Sequence, residues 1–285
     1  MPEAFTKVEF TNLNKVLYPE AGITKAQVIE YYIRIAPKML DLLAKRPLSL
    51  TRFPDGVDKE GFYEKDIPKG TPPWVETFKR YSETAEREIN YIVCNDLDTL
   101  LWLANLAALE MHMTLSTTDS FMSPDLALID LDPEPPIGRD DIVQVALLLK
   151  EKLKALSLRS YVKTSGKKGL HAVIPLVPGY TFRQTREFVH QIGKHLAKES
   201  DIAVAEFSRS REPGTVFIDY LQNSHGRTMV CPYSLRATPT ATVSIPLEWR
   251  DIRKGLNPEE FNITTVRKIE SNSWKDLLQD KQKLE

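Results

Sequence analysis

The order of predicted elements between residues 126 and 220 limits the possible folds of this chain more than any other feature. Hydrophobic periodicity predicts strand, helix, strand, strand, helix and strand in turn. The strands are expected near residues 126–132, 161–164, 170–175 and 215–220, and the helices near residues 139–156 and 182–199. This βαββαβ order is typical of a split-βαβ unit, whose antiparallel sheet packs against two helices. The sequence therefore predicts an α+β fold.

Two acidic side chains end the first of these strands. Asp130 and Asp132 follow an apolar run, and Pro133 then removes a ladder donor. Residues i and i+2 of a strand point to one face, so the two carboxylates are expected side by side, where they repel unless a cation lies between them. Oxygen ligands favour Mg²⁺ or Mn²⁺, and paired ions of this kind serve phosphoryl or nucleotidyl transfer. The alternative is a solvated strand end or a helix N-cap.

A third acid, Asp219, interrupts the apolar strand at residues 215–220. In this RRM-like topology the first and fourth strands can approach each other although they are far apart in sequence. A lone buried aspartate is costly, whereas a metal shared with Asp130 and Asp132 would compensate its charge. The alternative is a surface position or an arginine partner.

Residues 165–171, S-G-K-K-G-L-H, join the second and third strands of the unit. The glycines allow close approach of a ligand, and the amides, hydroxyl and lysines suit phosphate oxygens. It is not a Walker A loop, because that spacing is absent. On composition alone, a hairpin turn with solvated lysines is the better explanation of the segment.

The N-terminal part predicts a helix capped by Thr24, a strand at residues 48–53 and a second helix at about residues 98–112 that ends at His112. Between them, residues 54–73 form a long loop with aromatic residues at its centre. Cations interleaved with aromatics suit a phosphate and a stacked base. Their alternative role is to cover the core. The cations and aromatics concerned are Lys15, Lys25, Arg52, Phe62 and Tyr63.

Bulk properties exclude a globally basic nucleic-acid binder and a membrane protein. The formal net charge of the 285 residues is −1, so any nucleic acid must be held by local patches. Cys94 and Cys231 stand alone in apolar surroundings and predict reduced, buried thiols. The N-terminus has no apolar signal segment, and no run approaches the length of a membrane helix. These features predict a soluble cytoplasmic protein.

Six motifs, in this order, resemble the polymerase domain of bacterial ligase D and its stand-alone archaeal counterparts, within the archaeo-eukaryotic primase superfamily. The resemblance runs from about residue 5 to residue 255. It implies a single primase-polymerase domain over residues 1–285, with an RRM-like catalytic lobe (126–255), an N-terminal α/β lobe (1–125) that completes one cleft, and a C-terminal tail (256–285). The motifs lie at residues 12–19, 102–112, 130–132, 165–171, 219–223 and, as the sixth, 233–236 together with 246–249.

The resemblance implies a template-directed polymerase of non-homologous end joining that uses NTPs or dNTPs. Asp130, Asp132 and Asp219 would hold two Mn²⁺ or Mg²⁺ ions. The triphosphate would be held by one group of residues, and His112 and Gln222 would lie near the sugar. That triphosphate group comprises Ser165, Lys168, His171 and Arg236.

The resemblance also implies recognition of gapped, nicked or broken DNA ends, with nucleoid association in the cytoplasm. Lys15 and Lys25 would bind the downstream 5′-phosphate, Phe62 and Tyr63 would stack on the template with Arg52 nearby, and residues 79–90 would arrange the template or a second end. The absence of a ligase K-x-D-G motif implies a separate ligase, with Ku and a phosphoesterase as further partners.

One departure concerns the triphosphate. Many relatives carry a second arginine two residues after the equivalent of Arg236, where this chain has Thr238. Arg227 is a candidate replacement. Two other functions remain open from the sequence: a replicative or plasmid primase, which the same aspartates would serve, and a non-catalytic module that bridges DNA ends.

Overall fold

The structure is a computed structural model that describes residues 6–82, 85–266 and 272–284. Within these ranges there are four α-helices, and three short 3-10 turns occur at Thr118–Ser120, Tyr220–Asn223 and Pro258–Glu260. The helices are α1 (Lys25–Leu43), α2 (Leu97–Asn105), α3 (Arg139–Ala155) and α4 (Phe182–Glu199). Helix α1 begins at Thr24, whose side chain and that of Gln27 form a reciprocal capping box. This confirms the predicted N-cap.

The strands form two large sheets and one small ladder. The first half of the chain contributes β1 (Val16–Tyr18), β2 (Ile23–Thr24), β3 (Pro47–Arg52), β4 (Phe62–Glu64), β5 (Thr77–Ser82), β6 (Arg87–Val93) and β7 (Ala108–Thr114). The second half contributes β8 (Leu126–Pro133), β9 (Tyr161–Thr164), β10 (Leu170–Pro175), β11 (Ala203–Val204), β12 (Val216–Asp219), β13 (Thr228–Val230) and β14 (Pro246–Leu247).

The sheet of the second half has the strand order β11-β12-β8-β10-β9-β14. Its four central strands pair antiparallel with one another and follow the 4-1-3-2 order of a split-βαβ unit, while β11 pairs parallel with β12. Helix α4 packs on the face opposite the acids, because a Cβ on Gly193 would lie 3.3 Å from Ile218, which alternates with Asp219. The element order predicted from the sequence is therefore confirmed.

The other large sheet has the order β13-β7-β3-β6-β5, with β4 on β3. Strand β13 follows β12 in sequence but pairs with β7 of this N-terminal sheet. One continuous cluster of buried hydrophobic residues joins both sheets and all four helices. Cys94 and Cys231 are buried in it as free thiols. None of the described helices is long and apolar enough to cross a bilayer.

The prediction of one helix over residues 98–112 is wrong in its second half. Helix α2 ends at Asn105, Ala107 adopts a left-handed φ of 55°, and β7 begins at Ala108. No glycine or proline marks this break, and an apolar run by itself fits a buried strand as well as a buried helix. His112 is consequently a strand residue rather than a helix C-terminal cation.

Residues 272–284, near the C-terminus, pack against the sheet of the second half of the chain. Trp274 is fully buried and donates its Nε1–H to the carbonyl of Val162 at 3.0 Å. Asp280 pairs with Arg159 at 2.8 Å. Residues 267–271 and 285 of the predicted tail lie outside the described residues. Residues 272–284 therefore form part of the folded body.

Candidate active site

The three aspartates lie on two adjacent strands, β8 and β12, of the sheet formed by the second half of the chain. Asp219 of β12 lies opposite Asp130 of β8 in register, and Asp132 follows on the same face. The register continues through His171 on β10 to Lys163 on β9. Asp219, Asp130, His171 and Lys163 thus form one row across four adjacent strands.

The electrostatics of this row favour the binding of a cation. Burial, together with the charges of Asp132 and Asp219, raises the pKa of Asp130 to about 8. The Asp130 carboxylate lies 3.3 Å from His171 Nε2. Burial and the charge of Lys163 lower the pKa of His171 well below its ordinary value, so the imidazole is neutral and a weak partner for the acids. A cluster of neighbouring carboxylate oxygens of this kind fits Mg²⁺ or Mn²⁺.

The carboxylates of Asp130, Asp132 and Asp219 are not arranged around a single point. Among the described residues, no group of three or more His, Cys, Asp or Glu side chains forms a ready cation cage. Asp132 accepts a hydrogen bond from Arg211 Nη1, and the Arg211 guanidinium lies 5.0 Å from the Phe217 ring centroid. Asp219 accepts from Leu221 N at 3.0 Å and Gln222 Nε2 at 3.1 Å. Metal binding would require Asp132 to exchange Arg211 for the ion.

The loop at residues 165–171 is folded around the Ser165 hydroxyl. Ser165 Oγ accepts the backbone amides of Lys167 at 3.2 Å and Gly169 at 3.0 Å. Gly166 has a φ of 73°, and a Cβ there would lie 2.6 Å from Arg236. The loop therefore requires glycine both for its backbone conformation and for the close approach of Arg236.

Glu110 of β7 organises the cations of this region. Its carboxylate accepts Arg236 Nε and the Ala237 amide, each at 3.1 Å, and lies 3.4 Å from His112 Nε2 and 3.7 Å from Lys167 Nζ. Burial opposes its ionisation, but the hydrogen bond from His112 and the charges of Arg236 and Lys167 hold the pKa of Glu110 well below its ordinary value. Arg236 Nη1 also donates to the Ser165 carbonyl at 2.8 Å.

Glu110 and Lys163 are both titratable residues that the sequence analysis did not identify as part of the site. Lys163 is fully buried, and its Nζ donates to Ser244 Oγ at 2.6 Å. Burial and the charge of Arg236 lower the pKa of its ammonium well below the ordinary value. A lysine within an apolar strand, two residues before the S-G-K-K-G segment, is the sequence signal that could have identified it.

A cavity of about 790 Å3 connects these groups. Its lining includes both carboxylates and cations, and Thr238 forms part of its wall. Arg227 is not among the residues that line it. Asp219 is not among these residues either, but it accepts a hydrogen bond from Gln222, which lines the cavity. The sequence-predicted residues that line it are His112, Asp130, Asp132, Ser165, Lys168, His171, Gln222 and Arg236.

The residues predicted to bind DNA lie outside this cavity. Lys15 pairs with Asp55 at 2.7 Å, and Lys25 is only 6% exposed. Burial lowers the pKa of Lys25, and the charge of Lys15 lowers it further, so the two ammonium groups are close enough to repel. Such a pair favours a shared anion.

The predicted stacking residues are exposed on β4. Phe62 is 41% and Tyr63 53% exposed. Arg52 pairs with Glu64 at 3.0 Å and lies 5.0 Å from the Phe62 ring. Residues 79–90 lie in the hairpin of β5 and β6, except for residues 83 and 84, which are outside the described residues.

Comparison with known proteins gives consistent results. A family model described as LigD, primase-polymerase domain, matches residues 24–278. The Bifunctional non-homologous end joining protein LigD of Bacillus subtilis is 36% identical over 265 residues, covering 91% of this chain and 42% of that protein. The Multifunctional non-homologous end joining protein LigD of Mycolicibacterium smegmatis is 33% identical over 257 residues, covering 88% of this chain and 33% of that protein. The chain therefore spans less than half the length of these relatives.

A solved structure gives the same result for the fold. The polymerase domain from Mycobacterium tuberculosis Ligase D, in complex with DNA, superposes with a TM-score of 0.87 at 28% identity, covering 97% of this chain and 100% of that chain. The predicted archaeo-eukaryotic primase fold is thereby confirmed. The family match extends over most of the residues that build both sheets. This chain belongs to the LigD primase-polymerase domain family, a family of DNA-dependent nucleotidyltransferases.

Proposed function

We propose that this chain is the polymerase of an end-joining repair system and extends or fills DNA ends with NTPs or dNTPs by template-directed, two-metal nucleotidyl transfer. One observation carries the proposal. Asp130 and Asp132 line a cavity of about 790 Å3, and Ser165, Lys168 and Arg236 line it as well. An acidic cluster beside cations is the arrangement that a metal-bound triphosphate requires.

Asp130, Asp132 and Asp219 would hold two Mn²⁺ or Mg²⁺ ions. When bound, the ions would activate the primer 3′-hydroxyl and stabilise the charge of the leaving pyrophosphate. Lys168 and Arg236 would bind the triphosphate, with Ser165 shaping the loop and His171 beside the acids. His112 and Gln222 would lie near the sugar.

Thr238 does not replace the missing second arginine. Its Oγ1 accepts the Thr242 amide at 2.9 Å and lies 2.8 Å from Thr242 Oγ1, so the hydroxyl is used within its own turn. We infer that Lys167 supplies the second cation. Its Nζ is 3.7 Å from Glu110 and its side chain is 52% exposed, which leaves it able to exchange that partner for a phosphate.

The same proposal assigns DNA-end recognition to the N-terminal elements. Lys15 and Lys25 would bind the downstream 5′-phosphate, because two close ammonium groups gain most from an anion between them. Phe62 and Tyr63, both exposed, would stack on the template base, with Arg52 beside Phe62. The solved relative contains DNA, which supports a nucleic-acid substrate for this chain. A DNA ligase, Ku and a phosphoesterase are the proposed partners.

The defining experiment is extension of a gapped duplex that carries a downstream 5′-phosphate. Incorporation with NTPs and Mn²⁺ is expected, and parallel reactions with dNTPs and Mg²⁺ would establish the nucleotide and metal preferences. Absence of extension under all of these conditions would refute the proposal. Synthesis on unprimed single strands, with no gain from the 5′-phosphate, would favour a replicative or plasmid primase instead.

Substitution of Lys25 by methionine tests the 5′-phosphate site. Methionine keeps the buried stem but removes the charge, so preference for 5′-phosphorylated over 5′-hydroxyl ends is expected to fall about tenfold, the value of one charge-assisted hydrogen bond. Fluorescence anisotropy with the two ends measures this preference. Lys45→Met is the control, because it removes the same charge from an exposed pair with Asp119. Unchanged preference in Lys25→Met would contradict the assignment.

Metal binding is expected to depend on pH through Asp130. Its pKa is raised from 3.8 to about 8, so between these values the folded chain binds a proton that the unfolded chain does not. In the metal-free protein, the stabilisation that comes from protonated Asp130 is therefore lost progressively as the pH rises from 3.8 to about 8. The ion must displace the proton, so Mn²⁺ affinity is expected to rise by up to about tenfold per pH unit until about pH 8.

Calorimetric Mn²⁺ titrations in buffers of different ionisation enthalpy measure both the affinity and the protons released. Asp132→Asn provides the comparison, because it removes a charge that raises the pKa of Asp130 and should flatten the pH dependence. Affinity that does not change with pH in the unsubstituted protein would contradict this prediction.

A further inference from the structure

The two proposed phosphate sites are joined by buried hydrogen bonds. The first site is carried by the N-terminal unit, residues 15–43, which contains Lys15, β1, β2 and α1 with Lys25 at its start. The Lys25 amide donates to the Lys15 carbonyl at 2.8 Å, and Val16 and Tyr18 pair with β2. Lys15, Tyr18 and Lys25 are therefore fixed on one piece of backbone.

Three tyrosine hydroxyls of this unit contact one backbone segment, residues 233–236, here called the arginine segment. Tyr18 donates to the carbonyl of Arg236 at 3.1 Å, and Tyr31 donates to that of Tyr233 at 2.7 Å. Tyr32 accepts the amide of Leu235 at 3.3 Å. Each of the three tyrosines is at most 1% exposed.

The arginine segment has an unusual backbone that benefits from such support. Tyr233 has a φ of 67°, a left-handed conformation that a bulky side chain rarely adopts. Its amide donates to Ser244 at 2.7 Å, and the Arg236 amide donates to Thr242 at 2.8 Å. The Arg236 guanidinium then extends to Glu110 and the Ser165 carbonyl in the nucleotide cavity.

Phenylalanine would fill the Tyr18 site as well as tyrosine does, so the hydroxyl requires its own explanation. A buried phenol needs a partner, and here that partner is the carbonyl of the one arginine that lines the nucleotide cavity among the described residues. The bond joins residues 218 positions apart in sequence. This hydrogen bond connects β1, which follows Lys15, directly to the backbone of Arg236.

We propose that Tyr18 is a positioning residue that couples downstream 5′-phosphate binding to nucleotide binding through the Arg236 carbonyl. The inference rests on the proposed function and deepens it. A phosphate held between Lys15 and Lys25 fixes β1, and the Tyr18 hydroxyl then fixes the backbone from which Arg236 reaches the triphosphate. By linkage, a bound nucleotide strengthens 5′-phosphate binding by the same factor.

The test compares KM and kcat for NTP on gapped duplexes that differ only in a 5′-phosphate or a 5′-hydroxyl. In the unsubstituted protein the 5′-phosphate is expected to lower KM by about fivefold or more, the small end of ordinary coupling between sites. Tyr18→Phe should bring the ratio of the two KM values close to one and leave kcat nearly unchanged.

Tyr31→Phe is the matched control, because it removes a fully buried hydroxyl that bonds a different carbonyl of the same segment. Its KM ratio should stay at the unsubstituted value although its melting temperature falls similarly. A purely structural role of Tyr18 would make the two variants behave alike, which would overturn the proposal. A KM ratio of one in the unsubstituted protein, with normal extension, would also overturn it.

Equilibrium binding separates failure of this inference from failure of the proposed function. Affinity for a labelled 5′-phosphorylated DNA end is measured with and without NTP and Ca²⁺, which requires no turnover. Tighter binding with nucleotide in the unsubstituted protein, reduced in Tyr18→Phe, supports the coupling even if no extension occurs. Equal affinities with and without nucleotide in the unsubstituted protein refute it.

Discussion

Asp132→Ala is expected to reduce primer extension at least about a hundredfold while leaving the fold intact, because the variant loses one of three ligands for the proposed ions. Of the three acids, Asp132 is the most suitable to replace. Its side chain is 44% exposed and paired with Arg211, whereas Asp219 is 8% exposed and caps the following turn. An exposed pair of this kind contributes little to stability.

The metal-free melting temperature should therefore stay near that of the unsubstituted protein. Relief of repulsion with Asp130 also acts in the stabilising direction, since the charge of Asp132 helps to raise the pKa of that neighbour. The Mn²⁺-induced increase in melting temperature should disappear together with activity. Extension of a gapped duplex and thermal unfolding with and without Mn²⁺ measure the two effects.

Asp119→Ala is the control, because Asp119 is also a carboxylate in an exposed ion pair, with Lys45 at 2.7 Å. It should retain both activity and the response to Mn²⁺. Full activity in Asp132→Ala would exclude a metal role for that residue. Loss of activity with an unchanged Mn²⁺ response would place Asp132 outside the metal site.

The arrangement of the acids was accessible from the sequence because strands have a strict period of two. Asp130 and Asp132 had to share a face once residues 126–133 were recognised as a strand. The split-βαβ order then made Asp219 a neighbour, and the structure gives Asp219 opposite Asp130 in register. Local pattern and topology were sufficient for this part of the site.

The pairing partners of the site were not accessible, because each pair spans a large separation in sequence. Arg211 and Asp132 are 79 residues apart, Lys163 and Ser244 81, and Arg236 and Glu110 126. No periodicity encodes such contacts, which arise only when distant segments of the chain come together in the fold. The sequence pattern predicts a helix at His112 for a related reason. The turn that precedes β7 is made by Ala107, an alanine with a positive φ, and nothing in the local sequence marks it.

Glu110 is the missed residue with the largest expected effect. Glu110→Gln keeps the shape of the side chain but removes the charge that pairs with Arg236. Arg236 Nε and the Ala237 amide both donate to Oε1, so the glutamine carbonyl can still accept them, and its amide nitrogen takes the place of Oε2 beside His112 Nε2. Its side chain is only 8% exposed. Removing one partner of a buried ion pair typically costs about 3 kcal/mol, so the free energy of unfolding should fall by about that amount.

The kinetic effect should fall on kcat rather than on KM. The substitution removes the negative charge that Arg236, Lys167 and His112 share. The attraction of the two cations for the triphosphate of the bound substrate is therefore retained or strengthened. The guanidinium keeps only a neutral acceptor, however, so it is aimed less firmly, and a misdirected cation stabilises the transition state poorly. We expect kcat to fall at least about tenfold with KM unchanged or lower, the signature of an interaction that matters in the transition state.

Glu248→Gln distinguishes this role from general loss of charge, because Glu248 forms an exposed pair with Arg250 at 2.9 Å. That variant should lose less than about 1 kcal/mol of stability and no activity. The stability difference between Glu110→Gln and the unsubstituted protein should be constant around neutral pH. The pKa of Glu110 is held well below its ordinary value, so its contribution to stability is fully present above that value and is lost only as the pH falls through the lowered pKa. A raised KM with unchanged kcat would show instead that Glu110 acts only on nucleotide binding.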